Sequence, residues 1–251
     1  MNTIAFFDLD HTLLDGSNEG IYGKQMIREK FSKKNMLVIG AWYAMLYKLN
    51  RLPREAAYRR VLFEMGQYPV ARMIEMMDRG FEKNILPRLY KRGAELVHEH
   101  REMEHHTVIA TAAGEYIAER VRAQLLADDF IASPMPVEGD HFASHANIPM
   151  AFMHGKVAMV EQYCLERGVD LDDCWFYSDS ASDMPLLGAV GHPVMVNPQL
   201  VLRITARGMN WPVLRFKEYA DFKVARRPES VKSPELNRFL QIYERERENV
   251  G

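Results

Sequence analysis

Two aspartates follow the first apolar run of the chain. Residues 4–7 read Ile-Ala-Phe-Phe, and Asp8 and Asp10 come directly after them. A short continuous apolar run is typical of a strand buried in a parallel sheet, and functional groups collect beyond the carboxyl end of such a strand. Side chains two residues apart point to the same side of an extended backbone, and two carboxylates that close repel each other. A cation that prefers oxygen ligands, such as Mg²⁺, relieves that repulsion, so the segment indicates metal-assisted phosphoryl transfer.

The segment Asp8-Leu9-Asp10-His11-Thr12 offers a group for each step of such a transfer. The carboxylate of Asp8, at the strand end, could attack phosphorus and form an aspartyl-phosphate. Asp10 could protonate the departing oxygen and later activate water, while the Thr12 hydroxyl could brace the tight turn. Many Asp-x-Asp pairs are surface turns, but the apolar strand in front of this one argues against that interpretation.

Two later residues are candidates for binding a phosphate group. Thr111 follows the apolar segment 107–110 and precedes Gly114, where a helix is predicted to begin. A hydroxyl beside the exposed amides of a helix N-terminus makes a phosphate-binding cradle. Lys156 also falls at a predicted helix start, where the helix dipole disfavours a cation unless it has an anionic partner. Taken singly, each could equally be a structural threonine or a surface lysine.

A second acidic pair follows another apolar strand. Residues 174–177 predict a strand, and the segment after it reads Ser178-Asp179-Ser180-Ala181-Ser182-Asp183. Asp179, at the strand end, suits a metal ligand, and Asp183 could support the metal or fix Lys156. The alternative is an ordinary loop whose Ser and Asp side chains cap a helix.

Helices and strands alternate along most of the chain. Strands are predicted near residues 4–7, 107–110, 130–132, 174–177 and 194–196, with helices between them. This alternation predicts an α/β fold with a Rossmann-like, doubly wound parallel sheet. Only helices are predicted between the first two strands. We therefore expect a catalytic core at residues 1–15 and 93–220, an inserted all-helical cap at residues 16–92, and a C-terminal tail at residues 221–251.

The composition is that of a soluble globular protein. The chain has 251 residues, of which 47% are hydrophobic and 26% charged, and its net charge of −2 gives no indication of nucleic-acid binding. Its two cysteines, Cys164 and Cys174, are too few for a disulfide framework or a zinc site and are expected to be reduced core thiols. Asp8 interrupts the first apolar stretch, so no signal peptide is predicted and a cytoplasmic location is expected.

The predicted cap is basic and contains an apolar stretch. Residues 16–92 hold 16 of the 32 Lys and Arg residues but only 7 of the 34 Asp and Glu residues. Such a cap could steer an anionic substrate inward, although these charges could also simply solvate helix surfaces. Residues 36–52 are the most apolar part, yet they fall short of the roughly 20 apolar residues of a membrane span. No transmembrane segment is therefore predicted. The stretch is expected to form either a packed cap helix or a peripheral contact with a membrane surface.

The four motifs occur in an order that resembles the haloacid dehalogenase-like phosphohydrolase superfamily. The helical insertion after the first motif resembles the branch with a C1 cap, which includes phosphoserine phosphatases. The strings at residues 7–13 and 177–180 are similar to the subgroup of histidinol-phosphate phosphatase-like and phosphatidylglycerophosphatase-like proteins. The resemblance covers residues 4 to about 213, and its motifs are specific as a set.

The resemblance implies a role for each motif residue. It makes Asp8 the nucleophile and Asp10 the general acid and base, with Thr111 and Lys156 binding phosphate. It assigns Mg²⁺ to Asp8, Asp179 and the backbone carbonyl of Asp10, with Asp183 in support. The chain departs from phosphoserine phosphatases at Ser180, where they usually have glycine, and at Glu19, which lies about two residues farther from the nucleophile than their cap glutamate.

The expected activity is hydrolysis of a phosphomonoester through an aspartyl-phosphate. A small phosphorylated metabolite of the histidinol phosphate or phosphoserine type is the expected substrate. A lipid phosphate at the membrane surface is an alternative, suggested by the apolar stretch at residues 36–49 and the basic cap. A phosphotransferase is another alternative, and a phospho-accepting signalling module is disfavoured because it has no need of a cap of roughly 75 residues.

Overall fold

A computed structural model describes residues 3–31, 54–144, 149–198, 200–223 and 225–226. The apolar stretch at residues 36–52 and most of the predicted tail lie outside these ranges. The chain divides into two compact units. Unit 1 includes Met1–Ser17, Ile85–Ser133 and Pro149–Pro228, and unit 2 includes Asn18–Asn84 and Pro134–Ile148. The core and cap boundaries drawn from the sequence stay a prediction.

Unit 1 contains a six-stranded parallel sheet. The strands of the described residues are, in chain order, β1 (Ile4–Phe7), β2 (His106–Gly114), β3 (Asp129–Ser133), β4 (Val137–Glu138), β5 (His141–Phe142), β6 (Trp175–Ser178), β7 (His192–Val196) and β8 (Val213–Leu214). Two of them, β4 and β5, lie in unit 2 and form a separate hairpin. The sheet has the order β3-β2-β1-β6-β7-β8, and every pair in it is parallel. The chain runs outward from β1 first on one side and then on the other. The predicted Rossmann-like α/β fold is therefore confirmed.

Helices connect these strands and build most of the described part of unit 2. In chain order they are α1 (Asn18–Arg28), α2 (Arg54–Met65), α3 (Val70–Gly80), α4 (Lys91–Glu102), α5 (Glu115–Leu125), α6 (His154–Arg167), α7 (Met184–Leu187) and α8 (Leu200–Gly208). A π-helical turn at Phe81–Ile85 and a 3₁₀ turn at Leu86–Arg88 link α3 to α4. In the described part of the chain, no helix combines the length and apolar character that crossing a membrane requires.

The core of unit 1 lies against the central strands. Phe6 of β1 and Phe176 of β6 are both fully buried, and they pack with Val160 and Cys164 of α6. Because β1 lies between two other strands, its residues Ile4–Phe7 are all buried and read as one apolar run. Cys164 and Cys174 are free, buried thiols, as predicted.

Unit 2 combines helices with a small hairpin. Strands β4 and β5 pair in antiparallel fashion across a turn in which Gly139 has φ +64°. The backbone N–H of Val70 donates to the carbonyl of Asp140 at 2.7 Å and so ties the hairpin to the start of α3. Three methionines of α3 are buried: Met73, Met76 and Met77.

Candidate active site

The parallel register brings the ends of β1, β2 and β6 to one edge of the sheet. Phe7 of β1 is paired with Tyr177 of β6 and with Ile109 of β2. The strand order reverses between β1 and β6, and ligands of open α/β sheets bind at such a reversal, beyond the carboxyl ends of the strands. Three predicted site residues occupy this edge: Asp8, Thr111 and Asp179.

Lys156 joins the two acidic motifs within unit 1. Its Nζ atom donates to Asp8 Oδ1 at 3.1 Å and lies 2.9 Å and 3.0 Å from the two carboxylate oxygens of Asp183. The Lys156 side chain is only 2% exposed. Its ammonium group also lies 5.5 Å from the centre of the Phe176 ring. Residues separated by up to 148 positions therefore meet as the sequence analysis expected.

Burial and mutual charge shift the pKa values of this cluster. Burial raises the pKa of Asp8 to about 6, although the positive charge of Lys156 opposes the shift. Burial alone disfavours the charged form of Lys156, but the carboxylates of Asp183 and Asp8 outweigh that effect and raise its pKa. The ammonium group is thus a permanent positive charge beside a carboxylate that is ionised at neutral pH.

Thr12 links the first motif to Asp179. The backbone N–H of Asp179 donates to Thr12 Oγ1 at 3.1 Å, and Thr12 Oγ1 lies 3.5 Å from Asp179 Oδ1. Thr12 is fully buried in the turn, where its own N–H donates to the carbonyl of Leu9. Burial raises the pKa of Asp179 well above its ordinary value, and the negative charges of Asp8 and Asp183 add to that shift.

Asp10 lies in the turn that follows β1. It is half-buried, and its backbone forms a bridge with Leu14. The exposed residue His11 adopts φ +57°, a left-handed conformation that turns the chain sharply, and its N–H donates to the carbonyl of Gly16. The turn therefore places Asp10 beyond the strand end and on the same segment as Asp8.

Thr111 lies within β2 near the start of α5. Its side chain is 1% exposed, and its Oγ1 atom accepts a hydrogen bond from the backbone N–H of Ala113 at 3.1 Å. The register between β2 and β3 shifts between Ala110 and Gly114, so the strand is irregular around Thr111. Gly114 ends the strand, and α5 begins directly after it. Thr111 thus lies beside a helix N-terminus, as predicted.

Ser178 belongs to the same cluster but was not predicted from the sequence. This fully buried residue ends β6, and its hydroxyl donates to Asp183 Oδ2 at 2.7 Å while accepting from the backbone N–H of Ser180 at 3.1 Å. The signal was present, since a serine between a predicted strand and an acidic loop is a hydroxyl at the same sheet edge as the carboxylates. Only the contact with Asp183 shows which carboxylate it serves.

Within the described residues, no three or more His, Cys, Asp or Glu side chains cluster as a ready-made metal site. The predicted set is smaller, because it combines the carboxylates of Asp8 and Asp179 with one backbone carbonyl. A cavity of about 340 Å³ lies elsewhere, near the start of β6 and β7, and is lined by residues that include Trp175, His192 and Trp211. None of the predicted site residues lines it.

Comparison with protein families agrees with this geometry. The family model described as haloacid dehalogenase-like hydrolase matches residues 5–188. The chain belongs to this family. The match spans both acidic motifs and the lysine between them, so the predicted family is confirmed.

Named relatives of this family member match most of its length. It is 27% identical over 228 residues to a histidinol-phosphatase of Neisseria meningitidis serogroup C (strain 8013), covering 86% of this chain and 100% of that protein. It is 26% identical over 240 residues to a phosphoserine phosphatase of Mycobacterium tuberculosis (strain ATCC 25618 / H37Rv), covering 93% and 75%. An "Inhibition of morphological differentiation protein" of Streptomyces azureus is 28% identical over 219 residues, covering 85% and 78%.

Solved structures share the fold of this family member. A protein of unknown function from Bordetella pertussis Tohama I superimposes with a TM-score of 0.79 at 24% identity, covering 85% of this chain and 98% of that one. A substrate-bound phosphoserine phosphatase superimposes with a TM-score of 0.65 at 13% identity, covering 87% and 95%. At these identities the likeness concerns the fold.

Proposed function

We propose that this hydrolase is a Mg²⁺-dependent phosphomonoesterase that acts through an aspartyl-phosphate on Asp8. The observation that carries the proposal is the buried ammonium group of Lys156, held 3.1 Å from Asp8 Oδ1. A fixed cation beside a carboxylate nucleophile suits an incoming phosphate group, because phosphoryl transfer depends mainly on positioning and charge neutralisation. The relatives named as phosphatases support the same activity.

In the first step, an oxygen of the Asp8 carboxylate attacks phosphorus. A bond forms between that oxygen and phosphorus, and the bond between phosphorus and the leaving oxygen breaks. Asp10 donates its proton to the leaving oxygen, which departs as an alcohol. Lys156 keeps its proton throughout and neutralises charge on the transferring group.

In the second step, Asp10 acts in the opposite sense. Its carboxylate takes a proton from water, and the oxygen of that water attacks the phosphorus of the aspartyl-phosphate. The bond from phosphorus to Asp8 breaks, which releases inorganic phosphate and restores the carboxylate. Thr111, next to the N-terminus of α5, supplies a hydroxyl that binds the phosphate oxygens.

The buried acids fit a magnesium ion. Asp8 and Asp179 are both buried, and the negative charge of Asp8 helps to raise the pKa of Asp179. The two carboxylates therefore repel each other, and nearby positive charge compensates this repulsion only in part. Oxygen donors of this kind are the ligands that Mg²⁺ prefers, and it keeps several waters in addition to one or two carboxylates. Asp8, Asp179 and the backbone carbonyl of Asp10 would hold the ion, which neutralises phosphate charge when bound.

The proposed substrate is a small phosphorylated metabolite of the histidinol phosphate or phosphoserine type. Two relatives named for these activities match the chain over 86% and 93% of its length. The lipid-phosphate alternative was suggested by the basic cap and by residues 36–49, and the latter lie outside the described residues. Binding to anionic vesicles in a sedimentation assay would favour the lipid, and phosphate release only with an added acceptor would indicate a phosphotransferase.

A panel of about a hundred phosphorylated metabolites and lipids tests the proposal. We expect Mg²⁺-dependent phosphate release from at least one small phosphomonoester. The Lys156→Ala variant should lose at least roughly 100-fold in kcat/KM, because both phosphate binding and charge neutralisation depend on the ammonium group. Lys91→Ala is the matched control, because the Lys91 side chain is 56% exposed and pairs with Glu218 at the surface. Equal activity in Lys156→Ala and Lys91→Ala would refute the assignment.

A further inference from the structure

Ser178 lies at one end of a chain of four buried polar side chains. Its hydroxyl donates to Asp183 Oδ2 at 2.7 Å, and both Asp183 oxygens lie within 3.0 Å of Lys156 Nζ. Lys156 in turn donates to Asp8 Oδ1. We infer that Ser178 is a positioning residue, which fixes the Asp183 carboxylate and thereby aims the Lys156 ammonium group at Asp8. The inference rests on the proposed function, since it assigns Ser178 a role in that reaction.

The direction of the Ser178 hydrogen bond is determined by its surroundings. The backbone N–H of Ser180 donates to Ser178 Oγ at 3.1 Å, so that the oxygen already serves as an acceptor on one side. An ionised carboxylate can only accept hydrogen bonds, whereas a hydroxyl has one hydrogen to donate. The single hydrogen of Ser178 therefore points to Asp183, and this neutral donor adds to the two charged contacts from Lys156.

Strand β6 gives Ser178 a rigid support. The strand is paired with β1 on one side and with β7 on the other, and Ser178 itself is in register with Met195 of β7. Asp183, by contrast, ends a 3₁₀ turn of three residues, Ala181–Asp183, in the loop after the strand. The Ser178 hydrogen bond thus connects a loop carboxylate to the sheet, and the geometry of the ammonium group follows from that connection.

The reaction should depend on this geometry in a specific way. Ser178→Ala removes one buried hydroxyl and leaves every charge of the cluster in place. We expect kcat for p-nitrophenyl phosphate to fall about 10- to 100-fold, the range typical when a residue that hydrogen-bonds to an active-site group is removed and that group is slightly misplaced. KM should change less than about threefold, because Ser178 acts on charge neutralisation in the transition state and not on substrate directly.

A double-mutant cycle distinguishes a positioning role from a general structural one. If Ser178 acts through Asp183, then Ser178→Ala should change the rate less than about twofold in an Asp183→Asn background. Where that background is too slow to assay, Lys156→Arg takes its place. If Ser178→Ala lowered the rate by the same factor in the wild type and in the mutant background, Ser178 would act independently of Asp183 and the inference would be overturned.

The neighbouring residue Asp179 requires a separate readout, because it is a proposed metal ligand. The Mg²⁺ concentration for half-maximal activity should stay within about twofold in Ser178→Ala, since the metal ligands are unchanged. A raised Mg²⁺ requirement, with the rate recovered at saturating Mg²⁺, would place the effect on the metal site and contradict the inference.

Thr107→Val is the matched control. Thr107 is fully buried, its hydroxyl donates to Asp128 Oδ2 at 2.8 Å, and it accepts from the backbone N–H of Asp128 at 3.2 Å. It therefore makes the same pair of hydrogen bonds as Ser178, but near the start of β2. The kcat of Thr107→Val should stay within about twofold of the wild-type value. An equal loss of kcat in Thr107→Val and Ser178→Ala would mean that removing any buried hydroxyl lowers the rate.

Two further observations keep the test decisive. Should Ser178→Ala fail to fold by circular dichroism, Ser178→Cys retains a side chain of similar size with a much weaker donor, and wild-type kcat in that variant would overturn the inference. Wild-type protein without any Mg²⁺-dependent hydrolysis would refute the proposed function itself. Active wild-type protein with an equally active Ser178→Ala variant would refute only the role of Ser178.

Discussion

Lys156 shows how a charge that is costly to bury is retained in this fold. Removing an ammonium group from water costs several kcal/mol of hydration free energy. This cost is offset only if the buried group is paired with an opposite charge and hydrogen-bonded. Here Asp8 and Asp183 flank it on two sides, and their negative charges raise its pKa despite its burial. The same contacts that stabilise the buried lysine also place a positive charge beside the proposed nucleophile.

Asp8→Asn should separate activity from stability. The amide cannot act as the nucleophile, so turnover should fall by at least roughly 1000-fold. Burial raises the pKa of Asp8 to about 6, which means that its ionised form weakens the folded state at neutral pH. Without Mg²⁺, the variant should therefore unfold with a free energy about 1–2 kcal/mol higher, as measured in urea at pH 7.5.

The exposed Asp173→Asn variant serves as the control for Asp8→Asn. It should keep both the activity and the stability of the wild type within error, because surface substitutions away from special features are usually within about 0.5 kcal/mol. Near-normal turnover in Asp8→Asn would remove Asp8 as the nucleophile.

Met153 carries backbone strain at the start of α6, the helix that contains Lys156. It adopts φ 49° and ψ −122°, a region that favours glycine, and its side chain is 38% exposed. Met153→Gly should raise the free energy of unfolding by about 0.5–1 kcal/mol, because the strain is relieved and little packing is lost. Met103 is the control, since it is 55% exposed but has φ −82°, so Met103→Gly should not stabilise the protein. Equal effects of the two glycines would contradict the strain argument.

At the residue scale, the motif residues could be predicted because their chemistry is local. Asp8 and Asp179 each come directly after an apolar run, and a strand end is visible in one short window of sequence. Ser178 could not be assigned in the same way. Its role depends on which of several nearby carboxylates its hydroxyl reaches, and that is decided by the path of the loop that leads to Asp183.

At the scale of elements, strands that read as apolar runs were predictable, including the edge strand β3, whereas the short strand β8 was not. Strands β1 and β6 are buried in the middle of the sheet and therefore read as apolar runs. Strand β8 has two residues, Val213 and Leu214, is only half-buried and follows a proline, so it carries no such signal. The sequence also placed Gly114 at a helix start, whereas the structure extends β2 to Gly114 through the irregular register beyond Ala110.

The packing of α4 against the sheet creates a pH dependence of stability. His100 of α4 is 2% exposed, and its Nε2 atom lies 2.8 Å from the hydroxyl of Tyr177 on β6. Its Nδ1 atom lies 2.8 Å from Nδ1 of His105. Burial lowers the pKa of His100 from 6.5 to about 4, and the nearby His105 adds to the shift.

The sign of this effect follows from the lowered pKa of His100. As the pH falls below about 6.5, the unfolded chain takes up a proton on His100 that the folded chain refuses until about pH 4. Stability contributed by the neutral ring is therefore lost across this window, by about 2 kcal/mol at pH 5. Urea unfolding of the wild type and of His100→Gln at pH 7 and pH 5 should show the loss only in the wild type.

The comparison with His100→Gln also removes a contribution of opposite sign. Because the pKa of Asp8 is raised in the folded state, protonation of that carboxylate favours folding as the pH falls toward 3.8. Both proteins retain Asp8, so its contribution cancels in the difference. Identical pH dependence in the two proteins would show that His100 does not titrate differently in the folded and unfolded states.

At the scale of the whole molecule, the described part of the chain enters unit 2 twice. Residues 18–84 leave unit 1 after the first motif, and residues 134–148 leave it again between β3 and α6. The first insertion is long, and the helices of its described part are indicated by the helical spacing of apolar residues in the sequence. The second is a hairpin whose strands have two residues each, and its contacts within unit 2 include the backbone hydrogen bond from Val70 to Asp140. Tertiary contacts of this kind leave no pattern in a single sequence.

Metal binding should connect the local site to the stability of the whole chain. A ligand that binds only the folded state stabilises it by about 2.7 kcal/mol at 100 times its dissociation constant. For a chain of this size we therefore expect saturating Mg²⁺ to raise Tm by about 5–10 °C relative to chelator, as measured by calorimetry. The shift should disappear in Asp179→Asn and persist in the exposed-site control Asp173→Asn.

The Mg²⁺ shift should also depend on pH. Burial raises the pKa values of Asp8 and Asp179, so both carboxylates bind protons more tightly in the folded chain than in water. Protons therefore compete with the metal, and the increase in Tm should be smaller at pH 5.5 than at pH 7.5. A shift of equal size at both pH values, or one that survives in Asp179→Asn, would place the ion elsewhere and leave the two acidic motifs without their proposed shared ligand.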